Sequence, residues 1–145
     1  MKPLPHVYEV SLTGGPTTYA TVSAGSLPDL RTAPPLDFDG PGDAWSPEQL
    51  LVAAVETCFC FTLRAVAAAS KVEFTSLQLS GQGKLERTGS VTHFTEITLK
   101  PVLTLPPGSD RHKAELALRK SAQVCFVSAS LATPVRVEPE IHISE

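Results

Sequence analysis

Two cysteines that lie far apart in the chain are the side chains of this sequence best suited to chemistry. Cys58 lies in the apolar segment PEQLLVAAVETCFCFTL, and Cys125 lies in AQVCFVSASL. A buried neutral thiol behaves as a small apolar side chain, whereas a thiolate is a nucleophile that attacks peroxides and disulfides. Because the two cysteines belong to separate elements, tertiary folding can bring them together. The pair therefore predicts either redox chemistry or two inert core cysteines.

A Cys58 thiolate needs a stabilising neighbour, because burial in an apolar helix raises the pKa of a thiol. Between Lys2 and Arg64 the only lysine or arginine is Arg31, which makes it the upstream candidate for an activating cation. The alternative for Arg31 is a solvated loop side chain. Cys60 follows Cys58 by two positions, about 200° around a helix, and is interpreted as a packing residue.

Glu48 is a second candidate site residue, at the start of the same helical segment. The macrodipole favours a carboxylate in the first turn of a helix whatever else that carboxylate does. Ten residues of helix rise by about 15 Å, so Glu48 cannot touch Cys58 of its own chain directly. If both side chains serve one site, a second chain or a bridging arginine must connect them.

The sequence carries no pattern for a metal or a cofactor. None of its four histidines has another histidine four positions away; they are His6, His93, His112 and His142. A metal centre or a Cys-His nucleophile therefore has little support. Gly81 and Gly83 lie within an alternating strand pattern and lack the strand-to-helix context of a phosphate-binding loop.

Composition limits the class of protein. The chain has 145 residues, of which 42% are hydrophobic and 19% charged, which fits a single globular domain over residues 1–145. Its net charge of −3 and scattered basic residues disfavour nucleic acid as a partner. We expect neither a secretory signal nor a membrane span, because Glu56 and Arg64 interrupt the best apolar stretch. Three cysteines are too few for a disulfide framework, and cytoplasm is the expected compartment.

The pattern of elements predicts an α+β fold. Strands over residues 6–12 and 17–24 flank Gly14-Gly15-Pro16 as a hairpin, and residues 25–45 form an irregular connection. Ser46 and Gln49 form a capping box that begins a helix running from Pro47 to about Ser70. Apolar residues surround nearly the whole circumference of this helix, so we expect burial on most sides, with cover from a partner subunit.

The second half of the chain begins with a long antiparallel hairpin, with strands near residues 77–86 and 91–103. Pro101 predicts an edge or a bulge in the second of these strands. A second helix, capped by Ser109, runs from Asp110 to about Val124, and Cys125 falls at its end. One final strand covers residues 135–143. The adjacent antiparallel strand pairs disfavour a dinucleotide-binding fold.

These motifs resemble the OsmC/Ohr superfamily of thiol-dependent hydroperoxide reductases. The first motif is Pro47-Glu48-Gln49-Leu50 followed by Ala53-Ala54 and Cys58, which matches the family's pattern around its peroxidatic cysteine. The second is Ala122-Gln123-Val124-Cys125 with Ser128, which is similar to the segment that carries the resolving cysteine. The residues that flank Cys58 match neither well-studied branch closely and resemble further OsmC-like members.

The resemblance implies an intertwined homodimer with long buried central helices, antiparallel sheets and two active sites at the subunit interface. It implies that Cys58 attacks an organic hydroperoxide to give an alcohol and a sulfenic acid, and that Cys125 then forms a disulfide with Cys58. An external dithiol would reduce the disulfide, and Glu48 and Arg31 would tune the site. One branch of the family has an arginine directly after the Gly-Gly of the first hairpin, where this sequence has Pro16.

Two other functions remain open at this point. The chain could be a non-catalytic dimeric protein that binds a small apolar ligand in an interface pocket and keeps its thiols buried. It could also be a redox sensor whose disulfide changes its interactions.

Overall fold

Three short strands in the first fifty residues form an antiparallel sheet. The computed structural model describes residues 1–145, and its contacts divide the chain into two units, Met1–Leu50 and Leu51–Glu145. In the first unit β1 (Ser11–Gly14), β2 (Ala20–Ser23) and β3 (Leu30–Thr32) pair in the order β1-β2-β3. The predicted hairpin is present, but its first strand begins at Ser11 rather than at residue 6, and Gly14 is the last residue of that strand rather than part of the turn. The strand β3 corrects the prediction of an irregular connection, since three residues are too few to show an alternating pattern.

The long helix α1 (Pro47–Ala69) begins and ends where the sequence predicts, to within one residue. The backbone N–H of Ser46 donates to Gln49 Oε1 at 3.0 Å, and the N–H of Gln49 donates to Ser46 Oγ at 3.2 Å. This reciprocal pair confirms the capping box, which satisfies two of the free donors at the start of the helix.

Burial along α1 is confined to one face of the helix in the single chain. Its fully buried residues, Val55, Phe59, Leu63 and Ala67, recur every four positions. Phe61, which lies on α1 outside this buried stripe, is 59% exposed. The helix is also long and apolar enough to cross a bilayer, with a mean hydropathy of 1.8. Contrary to the prediction, Glu56 and Arg64 therefore do not by themselves exclude a membrane span. Soluble core helices pass the same test, and the buried stripe of α1 belongs to the hydrophobic core.

The second unit contains a four-stranded mixed sheet with β5 (Val91–Leu105) at its centre. On one side β4 (Ser76–Thr88) pairs with it antiparallel, and on the other β6 (Val135–Val137) and β7 (Glu140–Ile143) pair with it in parallel. The single final strand of the prediction is therefore two strands. Their parallel pairing was not predicted, because alternation shows that a strand exists and not which strand it joins.

Pro101 lies in the central strand of this sheet rather than at an edge. The ladder to β6 covers Ile97 to Leu99, and the ladder to β7 starts at Val102. Pro101 falls in the gap between these two ladders. The backbone N–H that proline lacks therefore leaves no carbonyl of β6 or β7 without a hydrogen-bond donor. The one register shift in the hairpin lies instead between Lys84 and Leu85.

Gly81 and Gly83 allow α1 to approach β4 closely. A Cβ at Gly81 would lie 2.6 Å from Glu56 Oε1 and 2.9 Å from Val52 Cγ1. A Cβ at Gly83 would lie 2.9 Å from Val52 Cγ2 and 2.8 Å from Phe94 Cε1. These two glycines therefore set how deeply the helix that carries Cys58 sits on the sheet.

The second helix, α2, covers Arg111–Val124 and is followed by a short helix α3 (Phe126–Ala129). Asp110, and not Ser109 as predicted, caps α2 by accepting a hydrogen bond from the N–H of Lys113. Ser109 instead donates to the carbonyl of Pro106 at 2.6 Å. Cys125 lies just beyond α2, as predicted.

Candidate thiol active site

The helix α1 holds Cys58 in a half-buried position in its middle. Thr62 follows it by one turn, and its Oγ1 lies 3.9 Å from Cys58 Sγ. Residues four positions apart share one face of a helix, so the hydroxyl is held beside the sulfur by the helix itself. Cys58 therefore sits next to a polar hydrogen-bonding group within an otherwise apolar segment.

Cys125 lies at a break between two helices. Its backbone is extended (φ −66°, ψ 118°), which ends α2 and starts α3. The side chain is buried, with 1% of its surface exposed, and the hydroxyl of Ser128 donates to Cys125 Sγ at 3.4 Å. The first backbone N–H groups of any helix lack partners within that helix. At this break they are free to act on the two sulfurs.

The pKa of Cys58 is lowered, although burial acts in the opposite direction. Burial is the largest single influence and raises the pKa, because it disfavours the thiolate. Hydrogen bonds from the Cys125 thiol, the Val127 N–H, the Thr62 hydroxyl and the Phe126 N–H together outweigh burial. Every one of these donors is uncharged. Cys58 is therefore the thiol of the pair that ionises more readily.

The pKa of Cys125 is raised. Burial is the main cause, and the hydrogen bond that Cys125 donates to Cys58 adds to it, because that bond requires the proton to stay on Cys125. The hydroxyl and the backbone N–H of Ser128 act in the opposite direction without reversing the shift. The two neighbouring sulfurs thus have opposite roles, with one favouring the thiolate and the other acting as its donor.

Of the four predicted site residues, the structure brings Cys58 and Cys125 together in the second unit. Arg31 lies in the first unit, where its guanidinium is 4.4 Å from the centre of the Tyr19 ring and 3.7 Å from Asp43 Oδ2. Its Nη2 also donates to the carbonyl of Asp43 at 3.0 Å. Glu48 lies in the first turn of α1, and its Oε2 is buried with no hydrogen-bond partner in the single chain.

Sequence reasoning missed the uncharged donors of the site. Thr62 could have been found from its position four residues after Cys58 on a predicted helix. The N–H groups of Phe126 and Val127 could not, because every residue except proline has one and only the break at Cys125 exposes them. The structure contains no group of three or more His, Cys, Asp or Glu side chains that could hold a metal ion.

Comparison with known proteins agrees with this fold. A family model described as OsmC-like protein matches residues 40–140, which is more than half of the chain. The chain therefore belongs to the OsmC-like family. Cys58 and Cys125 both lie within the matched residues.

Relatives extend the similarity over nearly the whole chain. A Bacillus subtilis (strain 168) protein named "Uncharacterized protein YmaD" is 26% identical over 133 residues, covering 90% of this chain and 88% of its own. The structure of an OsmC-like protein of unknown function from Vibrio cholerae O1 biovar eltor has a TM-score of 0.85 at 16% identity, with 93% and 99% of the two chains covered. An organic hydroperoxide resistance protein OsmC from Legionella pneumophila has a TM-score of 0.75 at 24% identity, with 97% and 99% covered. At these identities the solved structures show the fold alone.

Proposed function

We propose that this protein is a cysteine-based peroxidase that reduces organic hydroperoxides to alcohols. The observation that carries the proposal is the pair of neighbouring sulfurs with opposite pKa shifts, lowered at Cys58 and raised at Cys125. A peroxidatic thiol must attack as the thiolate, and a resolving thiol must stay intact until the first has reacted. The name of the Legionella pneumophila relative, an organic hydroperoxide resistance protein, supports the substrate class.

In the first half-reaction the Cys58 thiolate attacks the outer oxygen of the hydroperoxide. The O–O bond breaks, the alkoxide takes up a proton and leaves as the alcohol, and Cys58 becomes a sulfenic acid. In the second half-reaction Cys125 attacks the oxidised sulfur, and hydroxide leaves with a proton as water. An external dithiol then reduces the Cys58–Cys125 disulfide by thiol–disulfide exchange. Free thiols and this cycle suit a reducing compartment, so we assign the protein to the cytoplasm.

The proposal includes a homodimer. Large apolar side chains are exposed on α1 and α3 of the single chain, with Phe61 59% and Phe126 83% exposed. Exposed apolar surface of this kind is typical of subunit interfaces. Sizing in solution tests this part: we expect a dimer, and a monomer at micromolar concentration contradicts it.

Glu48 and Arg31 enter the proposal as residues that tune the site. The support for Glu48 is its orphaned buried oxygen and its place in the Pro-Glu-Gln-Leu motif. The support for Arg31 is that it is the only cation between Lys2 and Arg64, although its contacts in the structure are with Asp43 and Tyr19. We therefore give Arg31 a smaller role than the uncharged donors around Cys58.

Steady-state reduction of tert-butyl hydroperoxide or cumene hydroperoxide with a dithiol tests the function. We expect turnover by the wild type and none above background by Cys58→Ser, with Cys60→Ser as the matched control that keeps both active thiols. If the wild type is no faster than Cys58→Ser with any peroxide, the peroxidase function is excluded. Native thiols that do not react with one equivalent of peroxide would favour the ligand-binding function, and a disulfide that forms without turnover would favour the sensor.

A further inference from the structure

The hydroxyl of Ser128 has no role in the reaction described so far, yet it contacts a reacting atom. Its Oγ lies 3.4 Å from Cys125 Sγ and donates to it. Ser128 belongs to α3, the element whose N–H groups at Phe126 and Val127 act on Cys58. The short helix therefore presents separate donors to the two sulfurs.

The donors form a chain that runs in one direction. The Ser128 hydroxyl donates to the sulfur of Cys125 at 3.4 Å. The Cys125 thiol in turn acts as a donor that lowers the pKa of Cys58. Before oxidation the Cys125 thiol is the member of this chain that acts on the Cys58 thiolate. After peroxide has reacted, Cys58 carries a neutral sulfenic acid and no longer holds the Cys125 proton in place. Ser128 then remains as the side-chain donor to the sulfur that must attack next.

We propose that Ser128 is a catalytic residue of the resolving half-reaction, in which its hydroxyl stabilises the Cys125 sulfur while that sulfur displaces hydroxide from the Cys58 sulfenic acid. The inference rests on the proposed function. In this step the S–S bond forms and the S–O bond of the sulfenic acid breaks. The proton of Cys125 goes to the departing oxygen, which leaves as water, and Ser128 keeps its own proton throughout.

The expected effect on the rate is moderate. The contact from Ser128 Oγ to Cys125 Sγ is long, at 3.4 Å, so it belongs at the weak end of hydrogen bonds to charged acceptors and changes the population of the Cys125 thiolate by roughly tenfold. A more stable thiolate is also less nucleophilic, with a Brønsted coefficient of about 0.4–0.5, which offsets about half of this gain on a logarithmic scale. We therefore expect Ser128→Ala to slow disulfide closure by about threefold to fivefold.

The test follows both half-reactions of Ser128→Ala after one equivalent of tert-butyl hydroperoxide, in a Cys60→Ala background. Peroxide consumption reports on Cys58, whereas acid-quenched thiol counts and dimedone adducts report on closure. We expect peroxide consumption within about twofold of the parent, closure slowed as above, more Cys58 trapped by dimedone, and a pH profile of closure displaced to higher pH. Ser128→Thr, which keeps a hydroxyl, should restore closure. Equal slowing of both steps would indicate a merely structural role and overturn the proposal.

A second arm with the azo compound diamide separates this inference from the peroxidase itself. The Cys58 thiolate adds to the N=N bond of diamide, and Cys125 then displaces the hydrazine, so closure occurs without peroxide. If the wild type shows no peroxide turnover but Ser128→Ala still slows closure with diamide, the proposed function fails and the role of Ser128 stands. If closure with diamide proceeds at the parent rate, the role of Ser128 is excluded.

Discussion

Cys58 and Cys125 are the same side chain in two surroundings that act on it in opposite ways. Cys58 is half-buried on α1 and receives hydrogen bonds from a thiol, a hydroxyl and two backbone N–H groups, which lower its pKa. Cys125 is buried at the break between α2 and α3, and its pKa is raised. From this difference we infer that uncharged donors, rather than a cation, select Cys58 as the thiolate of the pair.

Replacing Cys58 and Cys125 in turn is expected to have the largest effect on peroxide turnover. Cys58→Ser should lower peroxide turnover by at least about a thousandfold, because the nucleophile is lost. Cys125→Ser should still consume about one equivalent of peroxide and then stop in the sulfenic acid state. Stopped-flow peroxide consumption followed by mass spectrometry of Cys58 distinguishes the two. Equal loss of the first turnover in both variants would contradict the assignment of roles.

Displacing α1 from the sheet should disturb the site next most strongly. In Gly83→Ala the new Cβ would lie 2.8 Å from Phe94 Cε1 and 2.9 Å from Val52 Cγ2, so the helix or the ring must shift. Overpacking of this kind costs about 1–3 kcal/mol of unfolding free energy. Chemical denaturation measures the loss. Gly15→Ala is the matched control, since its Cβ would have no neighbour within 4 Å and stability should stay unchanged. Equal stability of the two variants would rule out the close approach of helix and sheet.

Removing one donor from Cys58 sharpens the comparison further. The hydroxyl of Thr62 lies 3.9 Å from Cys58 Sγ and favours the thiolate. Because Thr62→Val removes this hydroxyl, the pKa of Cys58 should rise in the variant. The rate of the first half-reaction increases with pH through that pKa, and in the wild type this increase should occur below the ordinary thiol range of about 8.5. The long contact predicts a rate about twofold to threefold lower at neutral pH, with the two profiles meeting at high pH. Thr62→Ser, which keeps the hydroxyl, should match the wild type. If the pH profile of Thr62→Val has the same midpoint as that of the wild type, Thr62 does not stabilise the thiolate.

Removing the charge of Arg31 is expected to have the smallest effect on the first half-reaction. Arg31 is exposed and engaged with Asp43 and Tyr19, so Arg31→Gln should change the first half-reaction by no more than about twofold. The same pH profile measures it, with Asp43→Asn as the control that removes the partner and leaves the guanidinium in place. A loss larger than that of Thr62→Val would show that charge, rather than uncharged donors, selects the thiolate.

The sequence predicted those features that side chains specify locally. Ser46, Pro47 and Gln49 fixed the start of α1, and the motifs around Cys58 and Cys125 indicated the family and the thiol pair. Four features could not be read in this way. The parallel pairing of β6 and β7 depends on distant partners, β3 is too short to show a period, and the backbone donors at Phe126 and Val127 arise from a break between helices. Gly81 and Gly83 were placed in a strand, but their contact with α1 is a tertiary property.

Thiolate titration by absorbance near 240 nm tests the central claim most directly, in variants that each keep one active thiol. The two proteins are Cys125→Ser and Cys58→Ser, both in a Cys60→Ala background, and serine preserves a donor in place of the missing thiol. We predict that the pKa of Cys58 lies below the ordinary thiol value and that the pKa of Cys125 lies above it. Equal pKa values, or the reverse order, would contradict the assignment of Cys58 as the attacking thiol and Cys125 as the resolving one.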